Sequence, residues 1–295
     1  MPTLVRRRKL GNSSARGIVS NSTTGIQWVR NDRGIPHDDI YIRWGCTSNL
    51  PNPDAVVVNT AASIHEVGDK VGFRMKLDEA GLCPKTFCFT GQQAQDWFNG
   101  NEFLEAPNHQ EFWNKTYVAR PPKHSQGRFI FKGNFNECVA QIERWNKGGG
   151  YISEFINKIA EYRVFVISGR AVAVAKKTPA DPQALAWNVA QGGRFDNVNW
   201  GDWPLKAVKV AIQGFNISRL DFGGVDVMVD GAGNVTILEI NSAPSLTSPY
   251  RQQCMAKGLD YIVEHGKARL TLSEERGGYR KFIHPAVCNG AWTSN

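Results

Sequence analysis

Apolar and polar positions along the chain break into short strands and helices that interleave. Asp54–Asn59 reads as a buried strand, and the periodic run from Ala62 to Ala80 as a helix that Gly81 ends before Pro84. Thr86–Thr90, Tyr117–Arg120 and Arg128–Lys132 follow as strands, the last two joined by the loop Pro121–Gly127. A helix is predicted over Phe135–Trp145, a turn at Gly148–Gly150 and a strand over Tyr151–Ile156. Leu205, Val208, Ile212 and Phe215 share one stripe of a helix over Pro204–Phe215, and a last helix covers about Arg251 to Val263. Hairpins outnumber crossovers, which favours α+β lobes with antiparallel sheets over a doubly wound parallel sheet.

Two hairpins carry unusual charge. In Gly224–Asn241, runs of Val, Ile and Thr flank Gly231–Asn234, the signature of a hairpin loop. Pairing Asp230 with Val235 sets Asp226 opposite Glu239, with Asn241 on the same face. Val225, Val227, Leu238 and Ile240 then point into an apolar layer. Opposed carboxylates repel, so something positive belongs between or beside them. Two carboxylates and an amide oxygen form a hard donor set suited to Mg²⁺. The plainer alternative is one solvated acid and one paired with a Lys or Arg.

The second hairpin, Glu161–Lys177, raises the complementary question. A two-residue turn at Gly169-Arg170 places Arg163 opposite Lys176, with Glu161 on the same face. Facing cations ask for an anion, and phosphate suits an Arg fork beside a Lys point charge. A solvated basic strand face is the other reading. Together the two faces suggest a metal-bound nucleotide.

Composition narrows the class only modestly. The chain has 295 residues, 41% of them hydrophobic, enough for one large or several small cores. No export signal or membrane-length apolar run is seen, and the six cysteines show no CxxC pair, so a cytoplasmic protein with reduced thiols is expected. The six histidines have no ligand-like spacing. A net charge of +8 favours acidic partners. Part of it lies in Arg6-Arg7-Arg8-Lys9, read as a flexible basic tail over residues 1–20 with weak polyanion affinity.

With both hairpins in place, residues from about Asn59 to Leu246 resemble the ATP-grasp superfamily, especially its carboxylate–amine ligases of the ribosomal-protein glutamate ligase type. That resemblance implies two antiparallel lobes clamping ATP, over residues 85–154 and 155–266. A small α/β domain (21–84) would precede them and an extension (267–295) would follow. Val225-Asp226 with Leu238-Glu-Ile-Asn-Ser-Ala-Pro244 is similar to the family's metal motif, making Asp226, Glu239 and Asn241 the ligands of Mg²⁺, with Mn²⁺ as the alternative. Lys70 and Arg120 match positions that reach ATP phosphates, Arg120 where the family carries Lys. Gln126 and Gly127 lie in the matching lid loop, Glu154, Phe155 and Ile156 in the adenine-reading hinge, and Glu161 at the ribose-binding acid. Arg163, Lys176 and Asn188 match residues near the transferred phosphate. The N-terminal domain would build part of the substrate site, where Arg43 suits a carboxylate and Trp44 stacking; an ordinary core Trp is the simpler account.

The activity so implied is ATP-dependent joining of a carboxylate to an amine, with the acid and amine unspecified as small molecule, peptide or macromolecule, and oligomerisation left open. No covalent nucleophile is needed, which agrees with the lack of a Ser/His/Asp or Cys/His pattern. A phosphotransferase on the same clamp, and a nucleic-acid-binding or structural protein with a degenerate ATP site, are the rivals. Asp226→Asn is expected to stop turnover yet leave the fold intact, because it relieves repulsion.

Overall fold

The computed structural model describes residues 1–98, 110–122, 129–145, 148–187 and 192–266. The expectations for Gln126, Gly127, Asn188 and the extension 267–295 lie outside the described residues.

The N-terminal unit runs β1 (Pro2–Arg6), α1 (Ser13–Asn21), β2 (Gln27–Arg30), β3 (Ile40–Trp44), β4 (Val56–Val58), α2 (Ala61–Gly68) and α3 (Lys70–Glu79). Its sheet is parallel, in the order β2-β1-β3-β4. The expected tail is therefore wrong: β1 is a fully buried inner strand. Leu4 and Val5 supply apolar side chains to both faces, and the Arg6 guanidinium folds back onto the carbonyls of Arg7, Arg8 and Leu10. Only Arg7, Arg8 and Lys9 of the basic run are exposed. Patterning failed because a strand buried on both faces shows no alternation.

The single helix predicted over 62–80 is two. Asp69 ends α2, and its carboxylate accepts from the Gly72 N–H at 3.1 Å to cap α3. The break puts Lys70 in the first turn of a new helix.

The first lobe contains β5 (Thr86–Phe89), α4 (Gly91–Phe98), α5 (Gln110–Asn114), β6 (Tyr117–Arg120), β7 (Phe131–Gly133), α6 (Phe135–Trp145) and β8 (Gly150–Glu154). Its antiparallel sheet has the order β5-β8-β6-β7. The second lobe adds β9 (Lys158–Ile167), β10 (Arg170–Thr178), β11 (Arg194–Asn197), α7 (Leu205–Ile217), β12 (Phe222–Asp230), β13 (Val235–Asn241) and α8 (Pro249–His265). Its sheet is antiparallel in the order β11-β10-β9-β12-β13.

Core packing does not follow the three expected units. The first lobe has its own cluster around Phe89, Phe112, Tyr117 and Phe135. The N-terminal unit and second lobe instead share one continuous core. Trp44 stacks on Phe222 at 5.2 Å, and Asn59, fully buried with φ of 61°, exchanges hydrogen bonds with Asp221 and Phe222. Among the described residues no helix is long and apolar enough to cross a membrane.

Candidate active site between the lobes

β9 and β12 are neighbours, so the two charged hairpins form one face. Asp226 pairs in register with Arg163 on one side and with Glu239 on the other. The opposed carboxylates were legible in the sequence; their direct neighbour Arg163 was not, because it comes from a strand about sixty residues away in the chain. Arg163 grips Asp226 with both nitrogens, Nε to Oδ1 at 2.6 Å and Nη2 to Oδ2 at 2.7 Å. Lys177 adds a third contact, Nζ to Oδ2 at 2.9 Å. Glu239 receives Lys70 Nζ at 2.8 Å and the Asn241 amide at 3.0 Å.

Lys177 replaces the expected Lys176. The turn is Ser168-Gly169, both with positive φ, and an extra residue at Val172 shifts the register between Ala171 and Ala173. Arg163 therefore faces Ala175, while Lys176 pairs with Tyr162 and is exposed. A one-residue slip sends each side chain to the other face, and the adjacent Lys pair was the only sequence signal that either phase could serve. β13 also bulges: Val227 pairs with Ile237 and Asp226 with Glu239, leaving Leu238 as the extra residue. Val229, not Asp230, faces Val235, so the misplaced loop and the unseen bulge cancelled at Asp226. Leu238, expected in the apolar layer, lines the cleft instead.

The electrostatics follow from burial and pairing. Burial would raise the Asp226 carboxyl, but Arg163 and Lys177 outweigh it and hold it below its ordinary 3.8. Burial likewise opposes Glu239, yet Lys70 and the Asn241 hydrogen bond keep it well below 4.5. Lys177 and Lys70 are lowered by burial and raised more by their carboxylate partners, so both end above 10.5. Glu161 is buried, with Lys158 on one oxygen at 2.5 Å and Lys177 on the other. Both of its oxygens are thus engaged by lysines.

A cavity of about 600 Å³ lies between the lobes against this charged face. Arg120, Glu154, Phe155, Ile156, Glu161, Arg163, Asp226 and Glu239 all line it, together with Lys132, Lys158 and Lys177. Lys132 Nζ sits 3.8 Å from the Phe155 ring centroid, and Val118, Ile130 and Ile156 supply apolar wall. Arg74, also lining it, is a residue that the sequence reading missed.

Arg43 and Trp44 are not in the cleft, contrary to expectation. The Arg43 guanidinium donates to the Cys46 and Ser48 carbonyls at 3.2 and 2.7 Å, and Trp44 is a core residue, 2% exposed.

The donor set fits Mg²⁺ bound with phosphate. Among the described residues no group of three or more His, Cys, Asp or Glu could hold a metal ion. Two carboxylates and one amide, ringed by Lys70, Arg163 and Lys177, suit an ion that keeps several waters and takes phosphate oxygens.

Two lobes with antiparallel sheets facing such a cleft define an ATP-grasp protein, whose class is that of the ATP-dependent ligases sharing its fold. A family model described as an ATP-grasp domain, clade family 3, matches residues 87–260, more than half of the chain, and the chain belongs to that family. No curated protein matches it. Among solved structures it is similar to a D-alanine–D-alanine ligase from Bacillus anthracis, with TM-score 0.61, 13% identity and coverage of 90% of this chain and 97% of that one. A RiPP-associated ATP-grasp ligase from Chryseobacterium gregarium, in complex with ADP and a leader and core peptide, gives TM-score 0.61 at 12% identity, covering 92% and 99%. The macrocyclase MdnC from Microcystis aeruginosa, bound to its precursor peptide, gives 0.58 at 14%, covering 87% and 98%. At such identities the likeness is one of fold.

Proposed function

We propose that the protein uses ATP to activate a carboxylate as an acyl phosphate and joins it to an amine, releasing ADP and phosphate. The observation that carries this is the row Arg163, Asp226, Glu239 across three adjacent strands, with Lys177 and Lys70 closing its ends at the cleft. In the first step a substrate carboxylate oxygen bonds to the γ-phosphorus as the β–γ bridging bond breaks. In the second the amine nitrogen attacks the acyl carbon, loses a proton, and expels phosphate.

Each step gathers anions, so the demand on the protein is electrostatic. Asp226, Glu239 and Asn241 would hold Mg²⁺, which supplies charge neutralisation and orients the phosphate oxygens. Arg163 and Lys177 then face the transferred phosphoryl group, and Lys70 and Arg120 the rest of the triphosphate. Glu161 keeps Lys177 aimed at the phosphates. Phe155 and Ile156, with Val118 and Ile130, form the apolar wall against which an adenine base packs.

Peptides bound in two of the similar structures make peptides the first compounds to screen as acid or amine. The test is ADP and phosphate release with panels of acids and amines, followed by product mass. Release that requires both partners, with an amide product, is expected. ADP formed with an acid alone, alongside a stable phosphorylated compound, would replace this reading by a kinase.

A further inference from the structure

The extra residue of β13 is what brings Glu239 opposite Asp226: without it Leu238 would face Asp226 and Glu239 would turn to the other side of the sheet. A bulge leaves backbone groups outside the ladder, and something must hold them. Here the Leu238 carbonyl accepts from Arg74 Nη1 at 3.1 Å. Arg74 is 7% exposed, and its Nε donates to the Thr86 hydroxyl at 3.1 Å. Its guanidinium lies 5.3 Å from the Tyr151 ring centroid. Thr86 and Tyr151 belong to β5 and β8, both in the first lobe.

Lys70 stands one helical turn before Arg74 on α3, and residues four apart share a helix face. The same face thus holds the Glu239 carboxylate through Lys70 and the preceding peptide through Arg74. A second tie, Ile237 N–H to the Leu82 carbonyl at 2.8 Å, fastens the start of the bulge to the loop after α3.

We propose that Arg74 is a positioning residue that locks the β13 bulge to the seat of the first lobe, so that Glu239 can bind metal only while the lobes are in register. The inference rests on the proposed Mg²⁺–ATP reading of the cleft. The role needs a planar fork that donates in two directions at once; a lysine point charge can serve only one of them. Arg74 touches no reacting atom, so its effect is to be sought in metal affinity.

The experiment measures ADP affinity with and without Mg²⁺ by calorimetry, together with thermal midpoints, for the wild type, Arg74→Lys, Arg74→Met and Thr86→Val. The Mg²⁺-dependent gain in ADP affinity is expected to fall about 10- to 100-fold in both Arg74 variants, as for other residues that orient a metal ligand. Metal-free ADP affinity should stay within about twofold, and Thr86→Val, which removes only the Nε acceptor, should show a smaller fall of the same kind. A folded Arg74→Lys with a lowered midpoint but the full Mg²⁺ gain would overturn the proposal in favour of a purely structural role. A wild type that binds no ADP would instead overturn the ATP reading on which it rests.

Discussion

The two walls of the cleft are built by opposite means. The first-lobe wall presents Val118, Ile130 and Phe155 from a sheet with its own aromatic core, and its cations Arg120 and Lys132 sit at the margins. The second-lobe wall is a five-stranded sheet sharing its core with the N-terminal unit, and it carries Asp226, Glu161, Arg163 and Lys177 as an interlocked network. A charged network can be buried only on a rigid support that satisfies each group, whereas an apolar wall asks only for shape. The phosphate end of the cleft is therefore bound up with stability, and the base end is not.

Asp226→Asn tests that most severely. It leaves Arg163 and Lys177 with one fewer buried charge partner, so a loss of about 3–5 kcal/mol in denaturant unfolding is expected together with loss of turnover. This reverses the expectation of an intact fold, since the dominant neighbours of Asp226 are cations. Full stability in that variant would break the contrast. The same pairing sets an acid limb. Asp226 and Glu239 have folded values below 3.8 and 4.5, so their contribution is present above those values and disappears as pH falls through the lower folded ones. Thermal midpoints should hold steady near neutrality and drop below about pH 4, and the drop should shrink in Asp226→Asn.

Lys177→Met should cost about 100-fold or more in kcat, the scale of removing one fixed donor from a developing charge. Steady-state kinetics of that variant would sharpen the register argument beside Lys176→Met. Phe155→Ala, on the apolar wall, should raise the KM for ATP about tenfold with the unfolding midpoint little changed, in keeping with the loss of one aromatic contact. Lys176→Met should leave stability within about 0.5 kcal/mol and kcat unaltered, as an exposed substitution does. An Lys176 effect exceeding that of Lys177 would return the register to the unbulged pairing.

Much of the fold could be read directly. The helix over Phe135–Trp145 and the strand Tyr117–Arg120 fall at their predicted bounds, because amphipathic period and flanking Gly and Asn are local signals. The break at Asp69, the inner strand β1 and both bulges were not legible: each is decided by a partner distant in sequence. Trp44 illustrates the limit, since a stacking surface and a core residue are the same side chain until Phe222 is seen beside it.

From its own residues, then, this chain specifies two hairpins bearing in-register acids and nearby bases, and hence a demand for a metal and a polyanion. Side-chain alternation along a strand needs no knowledge of the rest of the molecule. Packing alone settled that β9 lies against β12, that Lys177 and not Lys176 turns inward, and that Arg74 grips Leu238. Those outcomes depend on strand order, on one extra residue in a ladder, and on which helix reaches a freed carbonyl. Such contacts are set by the whole packed molecule, and no local spacing encodes them.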